Sequence, residues 1–376
     1  MNPMNSMRGI ARLAWIATAF ALVVIVFGAF VRLSNAGLSC PDWPTCYGKI
    51  TWPKHEADIA TANAAFPDRP VESDKAWREQ VHRFLAGGLI LTTFALAYAV
   101  WRRRRDLQEL VAVPFAAAVF ILFQALLGMW TVTLKLKPVV VMGHLLGGMT
   151  TFALLAYTAL RLTIPQIANP LFSSAEKDKF KRLTEIGIGL VAVQIALGGW
   201  TSSNYAALAC GLDFPTCLGQ WWPANMDFRE AFVLWRGIGV NYEGGVLDGT
   251  ARIAIQVVHR IGALLVFGYV ALAVVQRAAR HVETRPFAIA IGIALLLQVS
   301  LGIANVKLGL SLPIATAHNG VAAVLLLSLL ALLVRVRRDA LRRFSRWEKG
   351  SVRLANPGRT LHPSHPCRRR STNTSN

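Results

Sequence analysis

Charge is what this sequence has least of. Of its 376 residues only 16% are Asp, Glu, Lys or Arg, against about 25% in an ordinary soluble domain, while 54% are hydrophobic. So few charges cannot cover a water-soluble globule of this length, which excludes that class and makes a bilayer the natural solvent. Acidic residues are the scarcest, 20 against 40 basic ones, for a net charge of +20. The tail from Arg335 onward carries 12 basic and 2 acidic residues, half of that surplus, so the excess calls for no nucleic-acid partner. Cysteine is also sparse, at five residues. No Cys-x-x-Cys-His occurs, which argues against covalent c-type haem attachment, and no carboxylate or thiol is spaced to complete a tetrahedral zinc set with the histidines.

What is present is a series of long uncharged runs. A spanning helix needs about 20 apolar residues to cross roughly 30 Å of hydrocarbon. Stretches free of charge run from Leu13 to Val31, Phe84 to Trp101, Leu110 to Leu134, Pro138 to Leu160, Ile186 to Leu212, Ile261 to Gln276, Pro286 to Val306 and Leu308 to Val334. The sixth is short, but the charge-free Ile253 to Val258 precedes it, so its helix is expected to start upstream of His259. Basic residues crowd the connections after spans two, four, six and eight, together with Arg8 and Arg12 before span one. By the positive-inside rule both termini are cytoplasmic, in a multi-pass protein of the cell inner (cytoplasmic) membrane. Span one is long for a signal-peptide core and is expected to be retained.

The chain is written twice. Cys40 lies 170 residues before Cys210, and Asp-Trp-Pro-Thr-Cys ending at Cys46 answers Asp-Phe-Pro-Thr-Cys ending at Cys217. Val-His-Arg recurs around His82 and His259, and Gln124, Leu127, Gly128 and His144 answer Gln298, Leu301, Gly302 and His318 at a constant offset of 174. Each half therefore reads as a four-helix unit. The expected fold is an all-α integral membrane protein of eight transmembrane helices, arranged as two parallel-repeat four-helix bundles about an axis along the membrane normal. The N-terminal half covers residues 1–170, the C-terminal half 171–340, and 341–376 is a basic tail too poor in apolar surface to fold alone.

The repeated histidines, His82, His144, His259 and His318, fall on the even-numbered spans at similar depth near the outer end. An ionisable side chain inside a span usually faces the bundle interior with a partner. A hydrogen-bonded polar residue is the bland reading for any one of them. Four in a repeated arrangement favour two pairs of imidazoles, each able to hold a haem iron from both sides in a four-helix bundle. His55, His281, His362 and His365 read as solvated surface residues.

The halves differ at one place. Glu79 stands three residues before His82, and Gln256 three before His259, so on a helix Glu79 shares a face with its histidine. A carboxylate there can move protons, which chemistry needs and electron storage does not; the rival reading is an ion pair with Arg78 or Arg83. Arg83 and Arg260 read either as holders of haem propionates or as arginines snorkelling to the headgroups. Cys40 with Cys46, and Cys210 with Cys217, fall in long outer loops with a spacing that suits loop disulfides. The second pair reads as a structural clip and the first either as a clip or as a thiol-disulfide couple. Cys367 reads as a free thiol. In the second long loop, Phe228, Phe232 and Trp235 within Asp227 to Val240 have a helix-like rhythm and predict a piece lying flat on the membrane.

Eight spans, a duplicated four-helix unit, a His on each even-numbered span, Glu-x-x-His-Arg on span two and a Cys pair in the first outer loop together resemble the haem A synthase family, of the bacterial type with that Cys pair, over roughly residues 10 to 335. The resemblance implies an oxidoreductase that oxidises the C8 methyl of haem O to a formyl group, making haem A for cytochrome oxidase. It implies that His82 and His144 receive the substrate haem O, that His259 and His318 hold a haem b cofactor, and that Glu79, Cys40 and Cys46 take part in catalysis. Electrons would pass through haem b to an acceptor the sequence does not identify. A haem O synthase is the expected delivery partner, and the sequence is compatible with a homo-oligomer. The competing reading is a di-haem b-type membrane electron-transfer subunit, with a transporter built on parallel repeats behind it.

Overall fold

The computed structural model describes residues 3–165 and 172–338. Among them the chain is all-helical. It runs α1 (Pro3–Leu33), α2 (Glu56–Ala65), α3 (Ser73–Arg102), α4 (Ala112–Thr133), α5 (Pro138–Thr163), α6 (Ser174–Ser203), α7 (Phe228–Ala231) and α8 (Gly249–Tyr269). A π-helical stretch, Val270–Val275, then carries α8 into α9 (Gln276–Ala278), followed by α10 (Arg285–Lys307) and α11 (Leu312–Arg337). Eight of these rods are long and apolar enough to cross a membrane, and the sixth runs unbroken from Gly249 to Ala278, upstream of His259 as expected. The boundary expected near residue 170 and the tail with His362, His365 and Cys367 lie outside the described residues.

Local chemistry sets the helix ends. Pro138, Pro286 and Pro313 sit in the first turns of α5, α10 and α11, where a missing N–H costs nothing and the fixed φ suits the helix. Ser173 and Glu176 form a reciprocal capping box at the start of α6.

Neighbouring rods pack in circuits. α1 contacts α3 and α5, and α4 contacts the same two; α6 contacts α8 and α11, and α10 contacts α11 and the π-helical stretch. α1 and α5 also pack against α11, and α5 against α6, so one apolar core runs from Ile10 to Val336 through the seam. The consequence that matters is diagonal: α3 is not closely packed on α5, nor α8 on α11. Each of these four helices carries one of the repeated histidines.

One expectation fails. The flat helix over Asp227 to Val240 is only the single turn α7. Arg236 folds back to donate to the Glu230 carboxylate at 2.6 Å and to its carbonyl at 2.8 Å. Gly239 then turns the chain at φ +89°. Trp235 lies over the buried Lys137 ammonium, 3.4 Å from ring centroid to Nζ, a cation–π contact at the start of α5.

Candidate haem-binding and redox site

The histidines fall in two pairs, His82 on α3 with His144 on α5 across the first circuit and His259 on α8 with His318 on α11 across the second. Each ring lies against a glycine of a neighbouring helix: a Cβ would come within 2.8 Å of His82 Cε1 from Gly28, 3.2 Å of His144 from Gly128, 3.3 Å of His259 from Gly198 and 3.2 Å of His318 from Gly302. Only a residue without a side chain lets an imidazole lie so close to the facing backbone. His55 is exposed, whereas His281 is half-buried with its ring 4.6 Å from that of Phe172.

What can such pairs hold? Among the described residues no group of three or more His, Cys, Asp and Glu gathers into a metal site. The donors offered are two imidazoles across a diagonal, and His82 Nδ1 and His318 Nδ1 are buried with no hydrogen-bond partner. An unsatisfied buried nitrogen costs about 1–3 kcal/mol, so each of these two rings still lacks a partner that the protein does not supply. The residues present therefore fit a planar metal macrocycle taken from two sides.

Above the first pair sits the disulfide loop. Cys40 and Cys46 are joined by a disulfide, and so are Cys210 and Cys217. Each loop closes with a short antiparallel bridge, Cys46 to Lys49 and Cys217 to Gln220. Asp42 organises the first, accepting from the Thr45 hydroxyl, from the Tyr47 amide at 2.6 Å and from the Gly48 amide at 2.8 Å. Burial pushes this carboxyl up, but those bonds outweigh it and hold it below the usual aspartate range. Burial likewise raises the Tyr47 phenol to about 12, so its hydroxyl stays a donor to the Arg69 and Pro70 carbonyls. Arg69 in turn grips Glu243 of the second long loop through both guanidinium ends, at 2.9 and 3.2 Å.

Glu79 is 5% exposed, and neither of its oxygens is idle. One accepts from the Cys40 amide at 2.9 Å and the other from Arg83 at 2.6 Å. Gln256, 3% exposed, does the same capping in the other half, accepting from the Cys210 amide at 2.7 Å and donating to the Ala207 carbonyl at 2.6 Å. The carboxylate is thus tied to the disulfide loop as well as sharing the helix with His82. Both arginines hold backbone carbonyls of the disulfide loops. Arg83 donates to the carbonyls of Asp42, Thr45 and Cys40, and Arg260 to those of Thr216 and Asp213.

The model of the COX15-CtaA cytochrome oxidase assembly protein family matches residues 11–330. The chain belongs to that family. Similar proteins include the haem A synthase of Shewanella oneidensis, 41% identical over 85% of this chain and 96% of that protein. The haem A synthases of Bacillus licheniformis, 27% identical over 86% of this chain and 96% of its own, and of Paracoccus denitrificans, 28% over 92% of each, are similar along nearly their whole length.

Sequence reasoning passed over one set of residues in this family member. Gln124 reaches the His144 ring at 2.9 Å and its carbonyl at 2.5 Å; Gln194 reaches the His259 ring at 3.1 Å and its carbonyl at 2.9 Å; Gln298 reaches the His318 ring at 3.2 Å. Gln124 and Gln298 entered only as landmarks of the repeat. A signal did exist, since each Gln stands one helical turn before the glycine that faces the same histidine.

Proposed function

We propose that the chain is a haem A synthase of the cell inner membrane, with both termini cytoplasmic and two four-helix halves in parallel repeat. The N-terminal half receives haem O between His82 and His144. The C-terminal half holds haem b between His259 and His318. The packing circuits and the histidine pairs across their diagonals support this division. The observation that carries the functional reading is the exchange of Glu79 for Gln256 at one structural position. A neutral amide suffices to cap the loop cysteine, so the charge on Glu79 has a use beyond capping.

Converting the C8 methyl of haem O to a formyl group is a four-electron oxidation: methyl plus water gives aldehyde, four protons and four electrons. Bound haem b would supply one-electron transfer toward an acceptor yet to be identified. The protein's part is to hold, shield and move protons. His82 and His144 orient the substrate ring between α3 and α5. Glu79 Oε1 and Oε2 accept protons released at the oxidised carbon, and Arg83 holds that carboxyl group in place. The Cys40–Cys46 loop covers the site, and the backbone amide of Cys40, one end of its disulfide, donates to Glu79. That proximity supports a part for the pair in the oxidation, whereas Cys210 and Cys217 clip a loop capped by a neutral amide. Water supplies the oxygen, and a haem O synthase is the natural source of an insoluble substrate.

The test is expression in a host that makes no haem A, with and without a haem O synthase, followed by identification of extracted haems by chromatography and mass. Haem A is expected only when both proteins are present. Haem B alone in both cases, at two per chain, would replace this reading with a di-haem electron carrier.

A further inference from the structure

The glutamines beside the histidines are unevenly provided. At His144 and His259 the Gln amide lies against both the ring and the histidine's own carbonyl. Room for that amide comes from Gly147 and Gly262, each three residues after its histidine, where a Cβ would overlap the amide oxygen. At His318 the glycine is replaced by Val321. Gln298 then makes a single 3.2 Å contact, to His318 Nε2 on the other side of the ring, and His318 Nδ1 stays unpartnered. At His82 both parts are gone. Val24 stands one turn before Gly28 in place of a glutamine, Leu85 stands three residues after the histidine, and His82 Nδ1 has no partner.

A metal-bound imidazole is held in place, and made more basic, by a hydrogen bond to its other nitrogen, and loss of such a partner weakens metal affinity about 10- to 100-fold. The amide nitrogens that face Nδ1 of His144 and His259 suit a bare ring nitrogen; when the ring ligates through Nε2 its Nδ1 is protonated, and the amide, turned end for end, offers its oxygen to that N–H in exchange for the carbonyl bond. We infer that Gln124 and Gln194 are positioning residues that lock one imidazole of each pair, His144 and His259, while His82, with Val24 and Leu85 beside it, is built as the releasable ligand through which the N-terminal half exchanges its haem. This rests on the proposal that the pairs ligate haem. It gives the asymmetry a use: a substrate must enter and leave as product, whereas a resident cofactor must stay. In the C-terminal half neither ligand lacks its glutamine, and in the N-terminal half one does.

The test uses the purified full-length chain in detergent, loaded with haem B or haem O, and follows haem transfer to excess apomyoglobin. Wild-type protein is expected to lose haem in a faster and a slower phase. Gln124→Leu should accelerate the faster phase and Gln194→Leu the slower, each about 10- to 100-fold, and Val24→Gln combined with Leu85→Gly should slow the faster one. Unchanged phases in both leucine variants, with the six-coordinate low-spin spectrum intact, would overturn the inference while leaving ligation in place. A low-spin spectrum that survives His144→Ala and His259→Ala would instead overturn ligation itself. If the Val24 and Leu85 double variant does not fold, the two leucine variants decide.

Discussion

Glu79→Gln separates the structural work of this residue from its chemistry, because the protein already carries the result of that substitution in its other half. Removing one partner of a buried ion pair outright costs roughly 3–5 kcal/mol. Here the new amide can still accept from the Cys40 amide, as Gln256 does from Cys210 at 2.7 Å. Arg83 retains the Asp42 carbonyl at 2.8 Å together with those of Thr45 and Cys40, much as Arg260 lives on carbonyls alone. What remains to lose is one charge-assisted bond, so the folded state should weaken by only about 1.5–3 kcal/mol. A positioned general base is worth about 100- to 10,000-fold in rate, or about 3–5 kcal/mol of barrier. The variant should therefore keep its disulfide, its thermal transition within a few degrees and its bound haem O, while haem A formation falls at least 100-fold. The assay is extraction and quantification of haem O and haem A from purified protein, with calorimetry alongside. Haem A within a few-fold of wild type would refute the proton role. A collapse of stability with loss of haem O would refute the claim that an amide can do the capping. Glu79→Ala is the control that must be worse in stability, because it leaves the buried Cys40 amide unsatisfied.

Gly28→Ala should drive the added methyl into the His82 ring, which a Cβ would approach to 2.8 Å, and disturb the low-spin haem spectrum more than Gly198→Ala, where the approach is 3.3 Å. Arg69→Met should cost about 1–3 kcal/mol by freeing Glu243 and the Leu38 carbonyl, read as a lower melting temperature; Glu243→Gln added to it should cost less than its single effect, since the two act on one contact. Asp42 titrates below its ordinary value when folded, so its contribution is present above about pH 4 and is lost as pH falls through the lowered value. Fluorescence of Trp43 and Trp52 should report that loosening in acid, and Asp42→Asn should remove this part of the dependence. Cys210→Ser with Cys217→Ser should lower stability and leave haem A formation within a few-fold, whereas Cys40→Ser with Cys46→Ser should depress turnover more than stability.

The parts of this molecule that a bilayer dictates were legible from the chain, and the parts dictated by carbonyl groups were not. Hydrocarbon thickness fixes how long an apolar run must be, so all eight spans could be found, most ends to within a turn or two and the starts of spans two and five about three turns late, and even the short sixth run could be extended upstream of His259. Duplication did the rest, pairing four histidines and two cysteine couples. Side chains whose partners are backbone atoms leave no such trace. Arg83 and Arg260 follow their histidines as any span-end arginine could, and nothing in the spacing says that they bind carbonyls 38 to 47 residues away. Trp235 similarly had the rhythm of an amphipathic helix, yet the Lys137 cation and the Arg236 return to Glu230 outbid that rhythm. The glutamines lie between these cases. A half-buried glutamine one turn before a glycine, facing a histidine on the next helix, is a pattern, and three of four sites obey it. Its failure at Val24 could be noticed only with the geometry in hand, because an isolated valine in a membrane helix carries no signal until the other three sites show what stands in its place.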